Sequence, residues 1–206
     1  IPNPNFDLYE KLIGMGIPVV FFNGYYPTLS GTYSVCADNQ AGGAELVRHL
    51  IDRGHTKIAG YFKSDDIQGH QRYSGFISEL FRSGLIIPDE NVFWYTTETK
   101  ENLFDDPEEV LKRLGDNTAV VCYNDEVAFG LVKCLLSAGR RVPEDVAVVS
   151  FDNSNLSWIS QVPITSLSYE DRNIGRIAAQ KLVDILDGRD VSSEVLPWTF
   201  IQKESS

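Results

Sequence analysis

Three polar stretches, each directly after an apolar run, carry the residue types that matter most for chemistry in this chain. Tyr123-Asn124-Asp125 follows TAVVC, Asp152-Asn153 follows VAVVSF, and Lys63-Ser64-Asp65-Asp66-Ile67-Gln68-Gly69-His70-Gln71-Arg72 follows the run from Lys57 to Phe62. Such a set suits a polyol. A sugar hydroxyl both donates and accepts, so the Asp152 carboxylate can take hydroxyl protons while Asn124, Gln68, Lys63 or Arg72 donates back. Aromatic faces such as Tyr25, Tyr123 or Trp158 can cover the C–H patch of a sugar ring. A buried partner left unpaired costs about 1 to 3 kcal/mol, enough to separate similar sugars. Plainer roles exist for several of these residues. Asp125 suits the N-cap of a following helix, Asp65 and Asp66 suit a turn, and the tyrosines and asparagines of the loop 23–34 suit surface turns.

The elements that must position these groups alternate between strand and helix. Leu8, Leu12 and Met15 recur at helical spacing before Gly16-Ile17-Pro18, and Val19-Val20-Phe21-Phe22 then reads as a strand covered on both faces. Val35-Cys36-Ala37 reads as a short extended crossing segment. A helix over 43–53 is predicted from Leu46, Val47, Leu50 and Ile51, with Gly54 as its stop. Strands follow at 57–62 and 92–96, separated by a helix carrying Phe76, Ile77, Leu80 and Phe81. Asp106-Pro107-Glu108-Glu109 is a helix start, with an N-cap acid and proline at the first position. The stretch 118–153 is strand, helix and strand; 164–168 is extended, 173–186 an amphipathic helix, and 194–202 a single final strand. This alternation predicts parallel sheets, and parallel neighbours place the polar clusters on one sheet edge, where open α/β sheets bind ligands.

Composition narrows the classes. The 206 residues are 43% hydrophobic and 11% aromatic, enough for a substantial core in one large or two small domains. With 29 acidic against 18 basic residues the formal charge is −11, which repels nucleic-acid phosphates and anionic lipid. Cys36, Cys122 and Cys134 lack CxxC spacing and read as buried small hydrophobes of a reducing cytoplasm. No apolar run is long enough to span a bilayer, and the start IPNPNFDLYE lacks the regions of a signal peptide. Enzyme signatures are missing. Gly14-Met15-Gly16 follows a helix and lacks a third glycine, no phosphate-binding GxxxxGK[ST] occurs, Ser150 is outside a G-x-S-x-G elbow, and His49, His55 and His70 lack HExxH spacing. No catalytic residue, metal ligand or cofactor is therefore expected.

The runs RHLIDRGHTKIA (48–59), RYSGF (72–76), CYNDEVA (122–128), VPEDVAVVSFDN (142–153) and ITSL (164–167), in this order, resemble the effector-binding domain of LacI/GalR-type bacterial transcription regulators. KSDDIQGHQRYSGF (63–76) is most similar to the arabinose repressor branch, in which this domain is joined to a GntR-type winged-helix head. The resemblance implies an α/β, periplasmic-binding-protein-like (type I) fold of two parallel-sheet subdomains with the effector between them. It assigns 1–36 and 169–188 to an incomplete N-terminal subdomain, and 37–168 and 189–206 to the C-terminal one. It also implies ligand contacts at Asn23, Lys63, Asp66, Gln68, Arg72, Asn124 and Asp152. Gly24 stands where some relatives carry an aromatic residue, and Tyr25 is taken as the replacement. The expected function is sensing of L-arabinose or a similar sugar by a cytoplasmic, homodimeric repressor that contacts operator DNA through its head and has no membrane partner. The alternative is a periplasmic sugar-binding protein of a transport system.

Overall fold

The computed structural model describes residues 6–86, 88–169 and 173–206, so parts of the stretches 1–36 and 169–188 assigned above lie outside the described residues. The chain divides into two compact units, residues 1–38 with 169–197 and residues 39–168 with 198–206. Among the described residues no helix is long and apolar enough to cross a membrane.

The first unit contains α1 (Phe6–Gly14), β1 (Val19–Phe22), β2 (Thr32–Ala37), α7 (Ile174–Leu186) and β8 (Glu194–Leu196). Its sheet has the order β1-β2-β8, parallel throughout. β2 begins at Thr32, inside the stretch read as loop, because it extends backward to pair all of β1. The β1 strand, read as covered, is only partly so, and Phe22 is exposed. As the edge of a three-stranded sheet it has a neighbour on one side only. Residues 189–197, assigned above to the second unit, lie in the first. The expected single strand over 194–202 is two, β8 and β9 (Thr199–Ile201), interrupted at Pro197, which has no N–H to give a ladder.

The second unit contains α2 (Asn39–Asp52), β3 (Ile58–Lys63), α3 (Ile67–Arg82), β4 (Val92–Tyr95), α4 (Pro107–Leu114), β5 (Ala119–Cys122), α5 (Asp125–Ser137), β6 (Ala147–Phe151), α6 (Asn155–Ile159), β7 (Thr165–Ser168) and β9. The strand order is β4-β3-β5-β6-β7-β9, parallel except for the antiparallel β7–β9 pair. β3, β5 and β6 are apolar runs because both of their faces are covered. Tyr61, Val120, Cys122 and Val148 pack with Val127, Leu131 and Leu135 of α5 and Val110 and Leu114 of α4. Residues of the other parity, including Phe62, Val121, Val149 and Phe151, are buried on the face where α2 and α3 contact β3, β5 and β6. The start of α2 at Asn39, before the predicted position 43, brings its glycines against α3. A Cβ on Gly43 would lie 2.3 Å from the Arg72 carbonyl oxygen, and one on Gly75 would lie 1.9 Å from that of Gln40. Only glycine allows the two backbones this close.

Candidate functional site

From β3 the chain moves outward to β4, then crosses back to β5 on the other side of β3. The carboxyl ends of β3 and β5 therefore flank a topological switch point, the crevice at which open α/β sheets hold ligands. β3 ends at Lys63, β5 leads into Tyr123-Asn124, and β6, paired with β5, leads into Asp152.

Arg72 lies at the centre of this edge and is only 2% exposed. It sits in the second turn of α3, which Asp66 starts as N-cap, its Oδ1 accepting from Gly69 N at 2.7 Å. The first turn rests directly on β3, since a Cβ on Gly69 would lie 1.8 Å from the Lys63 carbonyl oxygen. The guanidinium donates to Asn39 Oδ1 (2.9 Å), Gln68 Oε1 (3.5 Å), Asp152 Oδ1 (3.3 Å) and the carbonyl of Tyr123. Its carbon lies 4.2 Å from the ring centre of Phe151, 4.7 Å from that of Tyr123 and 5.5 Å from that of Trp198. A planar cation held by a fork of acceptors and stacked on aromatic faces has its orientation set before any ligand arrives.

Around it, the Tyr123 hydroxyl donates to Asp66 Oδ2 at 2.6 Å, and Lys63 Nζ lies 3.3 Å from the same oxygen. Burial pushes the Tyr123 phenol up, against the opposing pull of Arg72, and Asp66 adds to the rise. Tyr123 thus acts as a hydrogen-bond donor at neutral pH. Asn124 is the N-cap of α5, its Oδ1 accepting from Val127 N at 3.1 Å. Asp152 is 29% exposed, and its backbone has φ +95°, followed by Asn153 at +48°. Positive φ is uncommon for non-glycine residues, and its strain is held where structure demands it.

The structure thus gathers Lys63, Asp66, Gln68, Arg72 and Asp152 into one network, with Asn124 adjoining through Tyr123. Asn23 and Tyr25 belong to the first unit. There Asn23 has φ +56° just after β1, and its Nδ2 donates to the Tyr169 hydroxyl at 3.5 Å. Three expectations change. Asp125 is not the N-cap of α5. It is buried, accepting from the Ser150 and Ser166 hydroxyls and from Ser154 N, and burial raises its carboxyl above the usual range although these donors oppose the rise. The Tyr123 ring, itself buried, carries the Arg72 guanidinium over it, and the exposed Trp158 ring carries Lys203 Nζ 4.2 Å from its centre, so each ring already has a cation on it. Asn39, Phe151 and Trp198, which seat Arg72, were not singled out. Asn39 offered a weak signal as a polar residue at a helix start, and Trp198 offered none.

Among the described residues no group of three or more His, Cys, Asp or Glu is placed to hold a metal ion. The histidines have structural partners: His49 with Ser206 (3.0 Å) and Phe200, His55 with Thr118 (2.9 Å), and His70 with the Ser64 carbonyl (2.9 Å). Cys36, Cys122 and Cys134 are free and buried.

Residues 47–206 match the family model of the periplasmic binding protein-like domain. The chain belongs to this family. It is 37% identical over 192 residues to an arabinose metabolism transcriptional repressor of Halalkalibacterium halodurans, covering 91% of this chain and 50% of that protein. A repressor of the same description from Geobacillus stearothermophilus is 35% identical over 192 residues, covering 92% of this chain and 52% of that protein. The chain spans about half the length of these curated relatives. A solved complex of the transcriptional regulator CelR with cellobiose superposes with a TM-score of 0.87 at 29% identity, covering 97% of this chain and 62% of that one. The LacI/GalR-type resemblance, with arabinose repressors among its relatives, and the periplasmic-binding-protein-like fold of mostly parallel sheets are thereby borne out.

Proposed function

We propose that this chain is the effector-binding part of a transcriptional repressor and that its effector is L-arabinose or a closely similar sugar. The observation that carries this reading is the Arg72–Asp152 pair at the switch point, fixed on its inner side by Asn39 and the Tyr123 carbonyl and open to the edge through Asp152. A carboxylate and a guanidinium held side by side offer one acceptor and one donor set to vicinal hydroxyls. Lys63, Asp66, Gln68 and Asn124 complete the proposed contacts in the second unit; in the first unit Asn23 and Tyr25 are proposed as sugar contacts in their own right. The arabinose repressors among the relatives support the choice of sugar.

No reaction is catalysed in this reading. The sugar acts by binding one state of the protein better than another, which is the only way a ligand shifts such an equilibrium. In this reading DNA contact falls to a separate domain, which the net charge of −11 on this chain supports, and the repressor works in the cytoplasm as a homodimer without a cofactor. A thermal-shift series on the full-length protein with L-arabinose, D-glucose and cellobiose tests the choice. Arabinose is expected to raise the melting temperature in proportion to the logarithm of its concentration above Kd, as for any ligand of the native state alone. A shift with D-glucose or cellobiose and none with arabinose would reject it.

A further inference from the structure

Asp152 and Asn153 form a turn at φ +95° and +48°, a region uncommon for non-glycine residues and visited mostly by Asn and Asp. Three consecutive backbone N–H groups hold it. Asp152 N donates to the Leu167 carbonyl (2.8 Å), Asn153 N to Ser166 Oγ (3.0 Å), and Ser154 N to Asp125 Oδ2 (2.5 Å). The Ser166 hydroxyl that accepts from Asn153 donates in turn to Asp125 Oδ1 at 2.7 Å, and the Ser150 hydroxyl donates to the same oxygen. Asp125 is 1% exposed, and its hydrogen-bond partners are Ser150, Ser154 and Ser166. A buried carboxylate with this many donors is costly to place unless all of them are satisfied, and here its partners are the strands β6 and β7 and the turn itself.

From this arrangement we infer that Asp125, acting through Ser166, is a positioning residue for sugar recognition: it clamps the strained 152–154 turn so that the Asp152 carboxylate is fixed beside Arg72. The inference rests on the proposed role of Asp152 as a sugar contact. A carboxylate is required because both of its oxygens accept, Oδ1 from the Ser150 and Ser166 hydroxyls and Oδ2 from Ser154 N–H. An amide at position 125 sets its NH2 against either the Ser154 N–H or the two hydroxyls, and one side of the clamp is lost.

The test uses the full-length protein with L-arabinose as probe, titrated calorimetrically, beside hydrogen exchange of the sugar-free protein. Ser166→Ala and Asp125→Asn are expected to weaken arabinose binding by about tenfold or more, the equivalent of one hydrogen bond to a charged group. Ser166→Thr, which keeps the hydroxyl, is expected to stay within about threefold of the parent by the same reasoning. In Ser166→Ala the amides of 152–154 should exchange faster while β5 and β6 keep their protection. Should Asp125→Asn fail to fold, the two Ser166 variants decide alone. Parent-like affinity in Ser166→Ala, or faster exchange spread evenly over the second unit with Thr and Ala alike, would overturn the clamp. If the parent itself binds no arabinose, the sugar reading fails, and exchange at 152–154 still decides whether the clamp exists.

Discussion

Arg72→Met is the most informative single change, because methionine keeps the reach of the side chain and its seat among Phe151, Tyr123 and Trp198 while removing every hydrogen bond. Asn39 Oδ1 and the Tyr123 carbonyl then lose their donor in a buried setting, at about 1 to 3 kcal/mol each. Asp152 also loses its partner, but at 29% exposure water compensates much of that loss. The thioether recovers a fraction of the packing against the rings. The expected net cost to the second unit is about 2 to 4 kcal/mol, a fraction of a typical domain stability, so the variant still folds. Sugar affinity should fall further in proportion. A charge-assisted hydrogen bond to a sugar oxygen is lost and Asp152 is no longer held, a combined effect of about 10- to 100-fold or more in Kd. Urea unfolding followed by tryptophan fluorescence reads the first quantity and calorimetric titration with L-arabinose the second. Arg72→Lys should fall between, since an ammonium cannot reproduce the fork. A stable Arg72→Met that binds arabinose within about twofold of the parent would refute the reasoning, because half a kcal/mol is less than any one of the bonds it removes.

Other outcomes follow from the same structure. Gly75→Ala drives a Cβ to 1.9 Å from a backbone oxygen of α2, which no rotamer relieves, and should cost about 3 kcal/mol or more in urea unfolding. Burial, with Arg53 beside it, lowers the His49 pKa to about 4, and His55 is lowered for the same reasons. A neutral native histidine stabilises fully above the unfolded value near 6.5 and loses that contribution as pH falls toward 4, so the urea midpoint should drop across this window, and less so in His49→Gln. Cys36, Cys122 and Cys134 are buried and their thiols are raised by burial, so a thiol reagent should label none of them in the native state and all of them in denaturant. Asn23→Ala and Tyr25→Ala should each weaken arabinose binding with little change in stability; parent-like titrations would remove both from the proposed contacts.

Much of this was legible in the chain because the informative signals are local. Asp106-Pro107 starts α4 as predicted, and the Asp106 carboxylate accepts from Glu108 N and Glu109 N. The apolar runs of β3, β5 and β6 announced a sheet covered on both faces, and their polar ends marked the edge where Arg72 and Asp152 meet. What the chain concealed depends on pairing at a distance. The start of β2 at Thr32 is set by β1, and the separation of β8 from β9 at Pro197 by partners in two different sheets. Asp125 misled for a related reason. An acid at a helix start is an ordinary N-cap, and only the arrival of Ser150 and Ser166 from neighbouring strands makes it a buried acceptor while Asn124 takes the cap. Likewise no local pattern says that Trp198, on the last stretch of chain, closes the ring cage around Arg72.

The central claim is that the Arg72–Asp152 edge binds the sugar effector. Calorimetric titration of the full-length protein and its Asp152→Ala variant with L-arabinose, run side by side, tests it most directly. The account predicts saturable heat in the parent and loss of at least about tenfold in affinity in the variant, which stays folded with a lowered urea midpoint because alanine is strained at φ +95° and the buried Arg72 loses its carboxylate partner. Equal affinity in the two proteins would contradict it.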